Sequence, residues 1–267
     1  MKDSIIYSLL GTGGGLVFLA LVFIPMEKAF PAKPEQATFR PKWLIDACYM
    51  LGQYIFWSGA VFWVLDQVDV FLQPWVPSII AETVQQQAWG WQVLEVMLLS
   101  DLLIYWGHRL QHQIPFLWRF HKVHHSAPHL DWLAAYREHP LDSIYTIGLI
   151  NFPAFVMGFP LETIAGITAF RGIWAIYIHS NVRLSIGPLK MLIGAPELHH
   201  WHHDLDRYAG NYANLSPLMD IIFGTYSCPD HEPEAVGIRE EVPKTYVGQL
   251  LEPCLPKSWW EKIGKRL

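Results

Sequence analysis

A membrane-crossing helix needs about 20 mostly apolar residues. Five segments of this 267-residue chain qualify, with soft edges, at roughly 5–25, 44–65, 89–106, 141–158 and 161–178. The third and fourth are short or interrupted, and a hairpin that enters and leaves one leaflet is an alternative for the fourth and fifth. The opening run is long enough to span and lacks a small-x-small site before Pro25, which favours a span over a cleaved signal peptide. The polar positions between the runs give the orientation. Lys28, Lys33, Arg40 and Lys42 separate the first two, and no Lys or Arg occurs from 43 to 108. Arg109, Arg119, Lys122 and Arg137 follow the third, none occurs from 138 to 170, and Arg183, Lys190 and Arg207 come after the fifth. Basic loops stay in the cytoplasm. All three basic stretches therefore map to the cytoplasmic side, as does the C-terminal third, and the N-terminus, with Lys2 alone, maps outside. Arg171 is discordant, because it falls within the fifth segment; such a residue faces a protein interior or a cavity. The Pro-rich loop at 30–41 reads as an extended linker. The expectation is an all-α integral membrane helical bundle of about four or five membrane segments with a cytoplasmic helical cap. It forms one domain over 1–267, with membrane segments in 1–100 and a more polar cytoplasmic tail over 227–267.

Composition agrees with this picture. The chain is 52% hydrophobic and only 16% charged, against about 25% charged in soluble domains, and its mean hydropathy is +0.19. Thirteen Trp, fourteen Phe and eleven Tyr suit long membrane–water borders. A net charge of -5 without a basic patch argues against a nucleic-acid partner. Cys48, Cys228 and Cys254 lie far apart and lack CxxC spacing, so they give neither a disulfide framework nor a zinc knuckle.

The candidate chemistry lies in the histidines. Twelve of the thirteen fall between His108 and His203. In "HRLQH", His108 and His112 are i and i+4, on one helix face. "HKVHH" and "HHWHH" each contain HxxHH: His121, His124 and His125, then His199, His202 and His203. In each, the first two are i and i+3 on one face and the adjacent third points elsewhere. One segment can thus serve two metals, or one metal and its surroundings. His129 and His231 read as polar anchors or satisfied core residues, and His200 as a spacer or outer partner. The other eight, in three spaced groups, are poorly explained by packing, since neutral rings buried without partners carry a desolvation cost. Metal ligation removes that cost, and imidazole suits iron, zinc, copper and nickel alike. A structural zinc site takes four ligands, and this set suffices for two metals. Paired metals with open positions in nitrogen surroundings suit redox work on oxygen. The carboxylate-bundle pattern needs Glu-x-x-His on two helices, and only Glu197-x-x-His200 has that spacing.

The motifs in "DLLIYWGHRLQHQIPFLWRFHKVHHSAP", "REHP", "HSN" and "PELHHWHHDLDRYAGNYANLSPLMDIIFGTY" resemble the fatty acid hydroxylase superfamily, also called the sterol desaturase family, over about 101–226. The resemblance implies a membrane enzyme with a histidine-bound centre of two non-haem iron ions. It would use O2 as co-substrate to hydroxylate or desaturate an unactivated C–H position of a lipid. Carried over motif by motif, the catalytic ligands are His108, His112, His121, His124, His125, His199, His202 and His203. His179 of "HSN" adds a ninth and His139 of "REHP" completes the set. Some branches of the family have two histidines near the position of His179, where this chain has one. Asp101, Glu138, Asp142, Asn181, Glu197 and Asp204 are candidates to fix ring tautomers. Trp106, Trp118, Trp132 and Trp201 flank the clusters and either line a lipid path or anchor at the interface. No dinucleotide fingerprint or haem-domain signature is evident. The electrons are therefore expected from a separate ferredoxin or cytochrome b5-like protein with its reductase. Two other classes stay open. A histidine-rich metal transporter or store would place ligands near the bilayer midplane. A haem-binding membrane cytochrome would need only one or two facing histidine pairs.

Overall fold

Each of the five apolar segments falls on a helix. The computed structural model describes residues 2–263 except 185 and 207–209, with side chains described for these residues other than 2–12, 161, 162, 165, 261 and 263. The side chains at positions 5–12 of the first expected span and at Lys2, and the whole of Arg207, therefore lie outside what is described. In chain order the helices are α1 (Lys2–Ala29), α2 (Trp43–Gly52), α3 (Ser58–Leu72), α4 (Ser78–Gln86), α5 (Trp89–Gln113), α6 (Pro115–His125), α7 (Pro140–Met157), α8 (Leu161–His179), α9 (Pro196–His202), α10 (Leu218–Ile222), α11 (Tyr246–Leu251) and α12 (Lys257–Ile263). Among the described residues there is no strand, and the extended pairing is limited to the isolated bridges Pro31–Val182 and Asp204–Val236. Prolines open α6, α7 and α9, where a missing N–H costs nothing and the fixed φ is already helical.

The expected span at 44–65 is longer than the sequence suggested. A π-helical turn, Gln53–Trp57, joins α2 to α3, and the helical stretch Trp43–Trp75 runs for 33 residues. Among the described residues this is the one stretch long and apolar enough to cross a membrane by length and composition. The expectation of four or five spans goes beyond it. The segments at 89–106, 141–158 and 161–178 lie on α5, α7 and α8. α5 continues past its apolar part for two further turns, and these carry His108 and His112.

The Pro-rich loop, expected as an extended linker, runs through turns and bends and is docked rather than free. Its Lys33 amide donates to Asn181 Oδ1 at 2.8 Å. At its end Arg40 makes two bonds to the Asp131 carboxylate, at 2.8 and 2.6 Å, and a third to Asp46 at 2.7 Å. The other Asp46 oxygen accepts from Arg137 Nε. Arg40, Asp46 and Arg137 are at most 1% exposed. Two guanidinium and two carboxylate charges thus neutralise one another out of water, which repays desolvation when the geometry is good and the hydrogen bonds are complete. Beside them lies the principal core cluster, where Leu19 and Phe23 of α1 meet Tyr49 and Met50 of α2, Trp132, Tyr136 and Ile176.

α7 packs closely on α5 at Gly107, where an added Cβ would stand 2.1 Å from Leu149 Cδ1. The glycine brings α7 against α5 one residue from His108.

Replacing Asp46 with Ala leaves Arg40 short of one partner and Arg137 without its carboxylate. We expect a loss of about 3–5 kcal/mol, read as a lowered unfolding midpoint of the detergent-solubilised protein. A change below about 1 kcal/mol would show that this cluster does not hold the loop.

Candidate metal centre

Nine histidine rings from four helices meet between α5, α6, α8 and α9. They form two groups, His108, His112, His121, His125 and His202 in one, His124, His179, His199 and His203 in the other. Within each group one nitrogen per ring lies within 4.8 Å of all the others. The division follows from helix geometry. Adjacent residues on a helix point about 100° apart, so His124 and His125 of α6 turn to different groups, as do His202 and His203 at the end of α9. His125 and His203 stack with centroids 4.3 Å apart where the groups touch.

The rings are aimed by their outer nitrogens. Nδ1 of His108 donates to Tyr212 O (2.8 Å), that of His124 to Arg137 O (3.1 Å), that of His179 to Ala175 O (2.6 Å) and that of His202 to Gly210 O (2.8 Å). His121 Nδ1 donates to Asp142 Oδ2 at 2.9 Å, and Gln111 Nε2 holds the other Asp142 oxygen at 2.6 Å. A carbonyl can only accept, so the Nδ1 atoms of His108, His124, His179 and His202 carry the hydrogen and their Nε2 atoms keep a lone pair; an ionised Asp142 sets His121 the same way. Yet His108 Nε2 faces His121 Nε2 at 3.0 Å, and His179 Nε2 faces His124 Nε2 at 3.0 Å. Two lone pairs cannot hydrogen-bond one another. His112 Nε2 is buried with no hydrogen-bond partner. A cation between the rings satisfies all of these atoms, and the donor set therefore fits metal ions. Burial keeps the rings neutral and ready to bind. It pushes His108 and His179 down to about 4, and lowers His112, His121, His124, His125, His199, His202 and His203 well below the ordinary imidazole value, with neighbouring rings adding to the effect.

A cavity of about 510 Å3 opens onto both groups, ending at His108, His121, His124, His179 and His199. Phe18, Leu19, Ile104, Ile147, Ile150 and Ile176 make most of the remaining wall apolar. Glu138 also lines it and is bonded by Ser143 Oγ at 2.7 Å. Burial, followed by the nearby Asp142 charge, lifts its carboxyl well above the usual carboxylate range.

The comparisons with known proteins decide the family. Residues 93–225 match the fatty acid hydroxylase family model. The chain is 33% identical to an ornithine lipid hydroxylase of Rhizobium tropici over 66% of its own length and 54% of that protein's. It is 30% identical to the alkylglycerol monooxygenase of Homo sapiens over 54% of this chain and 32% of that one. With a Delta(7)-sterol 5(6)-desaturase of Gibberella zeae it is 31% identical, over 50% and 37%. The chain belongs to the fatty acid hydroxylase family. It spans about half or less of the length of these curated relatives. No solved structure matches it.

In this member of the fatty acid hydroxylase family, the structure brings together nine of the ten expected ligands and leaves His139 apart. The His139 ring caps α7: its Nδ1 accepts from the Leu141 amide at 3.1 Å and its Nε2 donates to Leu250 O at 3.0 Å. No nitrogen remains to offer a metal. His200 is likewise spent, with Nδ1 on Glu232 Oε2 (2.7 Å) and Nε2 on Ser180 O (3.0 Å).

Of the six candidates for fixing tautomers, Asp142 is the one that reaches a grouped ring among the described residues. Asp101 pairs with Arg171, Glu138 with Ser143, Glu197 with Lys190, and Asn181 with Lys33; Asp204 lies in an isolated bridge. None of the four candidate tryptophans lines the cavity. Trp132 is buried in the core, and Trp118 stands 5.2 Å from the His112 ring on another side.

Sequence reasoning missed Gln111 and the carbonyls of Gly210, Tyr212 and Arg137, because a backbone oxygen has no residue signature. The nearest signal is Gly210 itself. Its φ of +126° and the Thr225 oxygen 2.7 Å from any added Cβ admit only glycine. Asp220 then fixes the turn by accepting from the amides of Tyr212 and Ala213, each at 2.8 Å.

Asp142→Asn keeps the shape but leaves His121 without its anionic acceptor. Metal affinity is expected to fall roughly 10–100-fold, measured by competition with a chelator on the purified protein. Unchanged affinity would show that Asp142 does not support the ligand.

Proposed function

We propose that this chain is a membrane-bound, O2-dependent oxidoreductase that hydroxylates or desaturates an unactivated C–H position of a lipid. The observation that carries the reading is the meeting of two kinds of surface: an apolar cavity ends against five of the nine clustered, neutral imidazoles. The first surface suits a hydrocarbon chain. The second is redox-metal chemistry, which side chains alone do not supply. The named activities of the relatives, a lipid hydroxylase, an alkylglycerol monooxygenase and a sterol desaturase, point the same way.

Two non-haem iron ions bound at these groups would supply activation of O2. His108, His112, His121, His125 and His202 would hold one, and His124, His179, His199 and His203 the other. The chain's own part is to bind, aim and exclude water. The apolar wall seats the lipid beside the rings, and the backbone carbonyls and Asp142 keep the Nε2 atoms of His108, His121, His124, His179 and His202 directed inward. In hydroxylation one oxygen atom enters the C–H bond and the other leaves as water. Desaturation removes two hydrogens and yields two waters. Both consume two electrons and two protons from outside, so a ferredoxin or cytochrome b5-like donor and its reductase complete the system. We further propose that the bundle crosses the bilayer four or five times. The histidine region (101–226) and the polar tail would then lie on the cytoplasmic side, following the basic residues.

Comparative lipid mass spectrometry of cells with and without the gene tests the activity. A lipid shifted by one oxygen or by two hydrogens is expected, and the shift disappears with His124→Ala or His202→Ala, one from each group. Wild-type protein should carry about two iron ions and show no Soret band. Persistence of the shift in both variants, or one haem per chain, would overturn the reading.

A further inference from the structure

Arg171 stands in the wall of the cavity, 4% exposed and without an external charge to answer. One of its terminal nitrogens, Nη2, is fully engaged, with Asp101 Oδ1 at 2.7 Å, Ser100 Oγ at 2.8 Å and Met97 O at 3.0 Å. Its Nε is buried and has no hydrogen-bond partner. A guanidinium N–H left unpaired in an apolar surround costs free energy that an acceptor oxygen would recover. The Asp101–Arg171 pair is already neutral overall. An acceptor seated there without its own charge gains the bond, whereas a carboxylate would bring an uncompensated negative charge into the cavity.

The position of this N–H is set by two helices at once. Asp101, Ile104 and His108 follow one another on a face of α5, and Arg171, Ala175 and His179 on a face of α8. Ile104 and Ala175, the middle members, both line the cavity, as do His108 and His179. At about 1.5 Å per residue, the pair lies roughly 10–12 Å from the histidine groups along both axes. An extended chain advances about 1.2 Å per single bond, so this separation corresponds to roughly eight to ten bonds. The space also continues past Arg171. A second cavity of about 950 Å3, walled by α3, α4, α7 and α8, shares Thr168 and Ala169 with the first, one turn before Arg171.

We propose that Arg171 is a specificity residue that binds an uncharged internal oxygen of the lipid, an ester, amide or ether, with hydrocarbon on both sides. One arm runs along Ile104 and Ala175 to the histidines, and the other enters the second cavity. The oxidised carbon then lies about eight to ten bonds from that oxygen. The proposal rests on the lipid reading above and deepens it.

The test reads binding, so it does not depend on turnover. Full-length protein in dodecyl maltoside micelles is equilibrated with decyl decanoate, whose ester is central, or with heneicosane, a hydrocarbon of the same length. Retention is measured by native mass spectrometry. Wild type should retain the ester about tenfold or more over the hydrocarbon, from one hydrogen bond to a charged donor. In Arg171→Lys the three acceptors around Nη2 match the three donors of an ammonium, and no donor remains for the lipid. The preference should fall toward unity with little change in unfolding midpoint. The double variant Asp101→Leu/Arg171→Met removes the pair without stranding a charge. It should bind both probes equally.

Equal retention of the probes by wild type, as when an enclosed water already satisfies Nε, would overturn the proposal and leave the lipid reading standing. So would a preference undiminished in both variants. Retention of neither probe by wild type would overturn the two together.

Discussion

Neutral imidazoles cannot be gathered with their lone pairs facing one another unless positive charge lies between them. That constraint governs the centre of this protein. Four helices deliver the rings, and backbone carbonyls or a carboxylate take the Nδ1 hydrogens of His108, His121, His124, His179 and His202. The arrangement stores electrostatic cost in the metal-free state and returns it on binding. Metal affinity would thereby be coupled to the packing of the surrounding helices.

The packing around the rings resists that cost. The buried cluster of Arg40, Asp46, Asp131 and Arg137 ties the loop after α1 to the segment after α6. It is also continuous with the centre, because the residue whose guanidinium meets Asp46 supplies through its carbonyl the acceptor for His124. Likewise Asp220 fixes the turn whose carbonyls, at Gly210 and Tyr212, aim His202 and His108. Carboxylates therefore act at two removes: Asp142 on a ring directly, Asp46 and Asp220 through backbone that touches the rings.

On the other side the same rings close an apolar space. The polar centre and the hydrocarbon-lined cavity meet along the stripes of α5 and α8, where the histidines are the last members and the Asp101–Arg171 pair lies two turns back. An ionic pair on a largely apolar path gives the cavity an address along its length as well as an end.

Much of this was legible in the sequence. Apolar runs placed α1, the α2–α3 stretch, α5, α7 and α8, since helix formation over such lengths depends on local composition. HxxxH and HxxHH spacing picked out eight of the nine rings that the fold gathers and suggested that neighbouring histidines turn to different groups, because the helical repeat fixes which side chains share a face. Arg171 was marked by its charge within an apolar run. What the sequence could not supply was everything that depends on contact between distant segments. His139 and His179 looked alike as isolated histidines, yet one spends both nitrogens capping a helix and the other turns Nε2 inward. Six acidic or amide side chains were equal candidates to hold a ring, and only the packing of α7 against α6 selected Asp142. The carbonyls of Gly210, Tyr212 and Arg137 were invisible, because every residue has one and only the path of the chain decides where it points. Periodicity is a local property and can be read along the chain; the direction of a hydrogen bond across the fold is not, and tertiary structure alone determined it.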